Sequence, residues 1–168
     1  MRSLIGIDPG LTSTGYGVIK ADRVSYSHVT HGVIQTDRHQ SRGERLVHLF
    51  RSLDAILEEF NPQEAALESL FFAKNVKTAM PVAEARGVIL LCLAQRGIRY
   101  REYSPLEIKK SVLSSGRAGK SQVQRMVQLL FRLEELPHPD HAADALAVAF
   151  CHCNREQKRI ASGISKNV

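Results

Sequence analysis

Short runs rich in β-branched residues open the chain. Leu4, Ile5 and Ile7 predict a strand over Ser3–Asp8, which Asp8-Pro9-Gly10 ends. Thr14–Lys20 and His28–Gln35, rich in Val, Ile, Thr and Tyr, predict two more. The connections are short enough for an antiparallel meander. The period then changes. Leu46, Leu49, Phe50, Leu53, Ile56, Leu57 and Phe60 recur at helical spacing between a Ser41/Glu44 capping box and an Asn61-Pro62 stop. Glu64–Glu68 reads as a fourth strand. A second helix is predicted from about Thr78 to Arg96, ended by Gly97, with Pro81 tolerated in its first turn. Arg99–Tyr103 is the fifth strand, and Ser104-Pro105-Leu106-Glu107 starts a helix with an N-cap, a proline and a glutamate in the favoured places. A loop over Ser114–Gly119 leads to a helix from Ser121, with Val123, Met126, Val127 and Leu130 on one face. After Pro137-His138-Pro139-Asp140, a last helix is predicted from His141 to Cys153.

The order β-β-β-α-β-α-β-α-α-α implies an α/β fold, a five-stranded mixed sheet with helices on both faces. With 168 residues, 43% hydrophobic and 24% charged, the chain can bury a core without disulfides or metal staples. One domain over residues 1–153 is expected, followed by a polar, flexible tail over 154–168. No apolar run is longer than Val88–Ala94, which falls far short of the roughly 18 residues needed to span a bilayer. Arg2 and Ser3 lead straight into a strand rather than a signal sequence, so a cytoplasmic location is expected. Cys92, Cys151 and Cys153 do not form a disulfide framework, and they lack the second ligand pair of a zinc site; buried reduced thiols are the expectation.

Charge changes the picture. The net charge is +6, and Lys109, Lys110, Arg117, Lys120, Arg125 and Arg132 lie between Ile108 and Leu133 with no acid among them. The whole excess therefore sits in one segment, which suits either a polyanionic partner or a solvated helix face.

Four side chains suggest chemistry. Asp8 and Glu68 each end an apolar strand, and His141 and Asp144 open an Ala-rich helix on one face, about 4.5 Å apart along its axis. If the first and fourth strands are neighbours, Asp8 and Glu68 emerge side by side and the helix completes a cluster. Crowded carboxylates take up protons unless a cation is present. Oxygen ligands with one imidazole suit Mg²⁺ or Mn²⁺, and a pair of such ions is the usual apparatus for phosphodiester hydrolysis. Each residue also has an ordinary reading: Asp8 as a turn residue, Glu68 as a solvated strand end, His141 and Asp144 as first-turn helix residues.

Two near-matches compete. Gly116–Ser121 lacks the first glycine of a phosphate-binding loop, having Ser114 there, and no strand leads into it. Asp8–Gly15 resembles the first phosphate loop of the actin, sugar-kinase and Hsp70 ATPases, but those enzymes close two such domains on ATP and this chain has length for one.

Taken together, Ile5-Gly-Ile-Asp8-Pro-Gly10, Thr14-Gly-Tyr-Gly17, Leu67–Asn75, Glu84–Gly87, Lys120–Gln124 and His141–Ala147 resemble the RuvC family of Holliday-junction resolvases, colinearly over roughly residues 3–152. The resemblance implies an RNase H-like fold. It also implies a homodimer that nicks a four-way DNA junction symmetrically with Mg²⁺, for which Mn²⁺ can substitute. It places the metal-binding carboxylates on Asp8, Glu68 and Asp144. The position three before Asp144 is Asp or His in the family and is His141 here, either a ligand or a proton acceptor; Asp140 beside it invites a different alignment. The junction-contacting aromatic falls on Phe71, with Phe72 adjacent, and the basic residues near the scissile phosphate fall on Lys109 and Lys120. Lys110 and Arg117 share that basic segment and are expected to hold backbone phosphates. A partnership with a junction-binding, branch-migrating helicase complex is implied by the resemblance alone. The alternatives are a nuclease of the same fold acting on structured RNA, as in the YqgF branch, and a catalytically silent junction-binding module. The helix over 78–96, with Val82, Val88, Ile89 and Leu93, is the expected dimer surface.

Overall fold

The computed structural model describes residues 1–22, 24–69, 76–113 and 119–161. Its elements are β1 (Arg2–Asp8), β2 (Ser13–Ala21), β3 (Tyr26–Gln35), α1 (Arg42–Phe60), β4 (Glu64–Glu68), α2 (Val76–Gln95), β5 (Arg99–Tyr103), α3 (Pro105–Leu113), α4 (Lys120–Phe131) and α5 (Asp140–Ala161). The strands form one sheet in the order β3-β2-β1-β4-β5. β1, β2 and β3 are antiparallel neighbours, while β1, β4 and β5 run parallel. This is the expected mixed sheet, and β4 lies beside β1.

Strand alternation divides the core into two layers. Ile5, Ile7 and Val18 turn to one face and pack with Leu49, Leu53 and Leu57 of α1 and Ile89 and Leu93 of α2. Leu4 and Ile19 turn to the other, against Val123 and Val127 of α4 and Leu146 of α5. Each fully buried Leu or Ile contributes roughly 1.5–3 kcal/mol. The Ser41/Glu44 capping box forms as predicted, worth about 1 kcal/mol to α1. All three cysteines are buried and free. No helix among the described residues is long and apolar enough to cross a membrane.

α5 lies unusually close to the sheet because β1 and β2 present glycines beneath it. A Cβ on Gly6 would fall 2.1 Å from the Ala145 carbonyl oxygen, and one on Gly15 would fall 1.9 Å from that of His141. Ala142, Ala145 and Ala149, all fully buried, answer from the helix.

Three expectations need correction. α5 does not end at Cys153 but continues to Ala161, so the first half of the expected tail is helical. Its apolar stripe stops at Cys153, but polar contacts carry the helix on. Asn154 Nδ2 donates to Ser111 Oγ at 3.2 Å, Arg155 pairs with Glu107 at 2.8 Å, and Gln157 Nε2 donates to the Asp22 carbonyl at 3.2 Å. Residues 162–168 lie outside the described residues. α2 begins at Val76, so Pro81 lies inside the helix rather than in its first turn. Ile89 and Leu93 are core residues with no exposure, because they face α1 and the sheet. The outward face of α2 instead carries Met80 and Leu91, 59% and 55% exposed, with Gly87 between them.

Candidate active site

The site forms where β1 and β4 end together. The parallel pairing aligns Ile7 with Leu67, so Asp8 and Glu68 leave adjacent strands at the same edge. The turn after β1 is held rigidly. Thr14, 1% exposed, donates to the Gly10 carbonyl, and Thr36 Oγ1 donates to the Leu11 carbonyl at 2.6 Å. Arg45 of α1 reaches Thr36 and Thr12 from the other side, each at 2.9 Å. Asp8 thus stands on a braced support.

The close approach of α5 brings its first turn over this edge. His141 Nδ1 lies 2.6 Å from Asp8 Oδ2. Asp8, His141 and Asp144 each offer a ligand atom, and these atoms all lie within 4.8 Å of one another. Glu68 lines the same cavity, and the Asp8 and Asp144 carboxylates act on its own. A cavity of about 330 Å³ is lined by these four residues, by Lys109 and Lys120, and by an apolar wall of Pro105, Ile108 and Val123.

Charge is concentrated here. Burial and the neighbouring Asp8 and Asp144 carboxylates push Glu68 up to about 8, so its carboxyl is protonated at neutral pH. Burial and Asp8 push Asp144 up to about 6. The His141 imidazole is shifted upwards, chiefly by its hydrogen bond to Asp8. Lys120 opposes the upward shifts of His141 and Asp144, and Lys109 opposes that of Glu68, so both ammonium groups act on the cluster. Three acids crowded with an imidazole, one acid holding a proton to relieve repulsion, form a donor set suited to a hard divalent cation. The residues fit the metal that the resemblance implies.

Of the residues singled out in the sequence, Asp8, Glu68, His141, Asp144, Lys109 and Lys120 therefore converge. Lys110 does not. One residue along α3 from Lys109, it points about 100° away and lines a separate groove with Ser111, Asn154 and Arg155. Phe71, Phe72 and Arg117 lie outside the described residues. Asp140 turns from the cluster and accepts a hydrogen bond from Gln124 Nε2 at 2.7 Å, so His141 is the residue facing Asp8. The bracing by Arg45, Thr36 and Thr14 and the apolar wall were not anticipated. Only Thr14 carried a sequence signal, in its run with Gly15 and Gly17.

The family model described as crossover junction endodeoxyribonuclease RuvC matches residues 4–152. The chain belongs to the RuvC family. A crossover junction endodeoxyribonuclease RuvC from Pseudothermotoga lettingae is 49% identical over 150 residues, covering 89% of this chain and 93% of that protein. One from Treponema denticola is 49% identical over 151 residues, covering 90% and 85%. Among solved structures, T. thermophilus RuvC in complex with a Holliday junction substrate superposes with a TM-score of 0.88 at 30% identity, over 94% of this chain and 96% of that one. The RNase H-like fold expected of a RuvC chain is thereby established.

Proposed function

We propose that this RuvC-family chain resolves four-way DNA junctions by paired symmetric nicks, through hydrolysis assisted by two Mg²⁺ ions. The activity is that of a crossover junction endodeoxyribonuclease. One observation carries the chemistry: Asp8, His141 and Asp144 present ligand atoms within 4.8 Å of one another, with Glu68 lining the same cavity.

Asp8, Glu68 and Asp144 would hold the ions, and His141 completes the donor set. Bound there, the cations supply Lewis-acid neutralisation of the scissile phosphate. Water attacks phosphorus and the bond to the 3′ oxygen breaks. The products are a 5′ phosphate and a 3′ hydroxyl, which a ligase can rejoin. His141 Nδ1 faces Asp8, which leaves Nε2 either to ligate or to accept the water's proton. Lys109 and Lys120 line the same cavity and hold the phosphate by charge. Lys110 and Arg117 hold phosphates of the arms, and Phe71 stacks on a base at the junction.

Two matched cuts need two sites related by a two-fold axis, so the working form is a homodimer. The face of α2 bearing Met80, Gly87 and Leu91 supports this reading. It is apolar and exposed, and nothing lies within 4 Å of where a Gly87 side chain would begin. The enzyme is placed in the cytoplasm, with a branch-migrating helicase complex as partner.

The decisive experiment is a cleavage time course on a synthetic four-way junction beside linear duplex, with and without Mg²⁺. Paired symmetric nicks in the junction with Mg²⁺ alone are expected. Equal cutting of both substrates, or cleavage of structured RNA in preference, would overturn the proposal.

A further inference from the structure

Gln124 lies in the Lys120–Gln124 run, yet nothing in the site uses it directly. It follows Lys120 by one turn of α4, so the two side chains share a face of the helix. Its amide nitrogen donates to Asp140 Oδ1 at 2.7 Å. Asp140 is the first residue of α5 and immediately precedes His141. A side-chain hydrogen bond therefore joins the helix that carries Lys120 to the turn that carries His141 and Asp144.

Val123 in the first turn of α4, and Val127 and Phe131 beyond it, are buried and hold the inner face of the helix to the core. Its N-terminus has no side-chain cap. Gly119, at the N-cap position, has no side chain to accept from the helix, and its backbone N–H donates at 2.9 Å to Gln122 of the same turn. Lys120 itself is exposed. Among the described residues, the side-chain hydrogen bond between α4 and α5 is Gln124–Asp140.

We infer that Gln124 and Asp140 form a strut that sets Lys120 over the scissile phosphate, making both positioning residues rather than ligands or catalytic groups. The inference rests on the proposed role of Lys120. A net hydrogen-bond contribution of about 0.5–1.5 kcal/mol corresponds to a change of roughly two- to tenfold in rate. The bond is exposed, so its loss should alter the cleavage step far more than the fold.

The polarity of the pair makes the test specific. Gln124→Glu places a carboxylate against Asp140 and breaks the bond. Asp140→Asn keeps it, because the asparagine oxygen still accepts from Gln124. Combining the two restores it in reverse, the asparagine amide donating to the glutamate. Cleavage of a four-way junction would be followed under single-turnover conditions with saturating enzyme, alongside junction affinity and thermal unfolding. We expect Gln124→Glu to cut roughly tenfold more slowly and the double variant to return to within about twofold of wild type. In a Lys120→Ala background, Gln124→Glu should add no further loss. Failure of the double variant to recover, multiplication of the losses in that background, or a wild-type rate for Gln124→Glu would each overturn the strut. A wild-type rate for Lys120→Ala would instead remove Lys120 from the site, a separate result.

Discussion

At the scale of single residues, the site is a problem in charge. Asp8, Glu68 and Asp144 meet in a half-buried cavity, and burial together with the neighbouring carboxylates pushes Glu68 up to about 8. A bound divalent ion removes the reason for that proton. Metal binding and protonation therefore compete, and the competition has a definite sign. The folded pKa of Glu68 lies above its ordinary value of 4.5, so the metal-free fold is favoured while the group is protonated and loses that advantage as pH rises towards about 8. Added Mg²⁺ should consequently raise the melting temperature more at pH 8 than at pH 6, and Glu68→Gln should flatten the difference. Calorimetry at the two pH values checks this; an equal Mg²⁺ increment at both would contradict it. Asp8→Asn should lower cleavage by about a hundredfold or more, since the cation's contribution is several kcal/mol. Junction affinity measured without metal should survive, and parallel loss of binding and cleavage would indicate a misfolded variant.

At the scale of elements, the site depends on how closely one helix can lie on two strands. Gly15 pairs with Asp8 across the β1–β2 ladder, and the His141 backbone crosses directly above it. A methyl group at Gly15 would have to occupy the space of the His141 carbonyl. Gly15→Ala should therefore destabilise the protein by about 1–3 kcal/mol, the usual cost of overpacking. It should also slow cleavage beyond what partial unfolding explains, because α5 carries two of the four clustered side chains. Comparing the single-turnover rate with the folded fraction at 25 °C separates the two effects. A similar dependence governs the far half of α5. Tyr103 Oη lies 2.8 Å from His152 Nδ1, and His152 Nε2 lies 3.0 Å from Glu64, which also pairs with Arg2. This partly buried chain ties β5, α5, β4 and β1, running from Tyr103, the register partner of Glu68, to Glu64 and Arg2 near the other ends of their strands.

At the scale of the whole molecule, one chain presents one site, and symmetric cutting asks for two. The α2 face supplies apolar surface where a second copy can sit, with Gly87 allowing close approach. Leu91→Arg should convert a dimer to a monomer in sedimentation and uncouple the two nicks, leaving singly nicked junctions. An unchanged sedimentation coefficient would place the interface elsewhere. Much of this molecule can be read before it folds. The periods of Leu46–Phe60 and Arg99–Tyr103, the Ser41 cap and the apolar strands announce the elements, since propensity, capping and periodicity depend on near neighbours along the chain. Asp8, Glu68, His141 and Asp144 could be named because three carboxylates and an imidazole, at the ends of apolar strands and in an alanine-rich helix, make together a cation-binding set that each residue's ordinary reading leaves unexplained. Other features were hidden. The placement of β4 beside β1 was only a condition in the sequence, Lys110 could not be separated from Lys109, and the bracing of Asp8 by Arg45 and Thr36 had no local signal. The helix beyond Cys153 was missed because its partners, Ser111, Glu107 and Asp22, lie far away in sequence. Local order follows from the identity and spacing of adjacent residues, whereas the assembly of four side chains into one cluster follows from contacts across more than a hundred residues, which packing alone specifies.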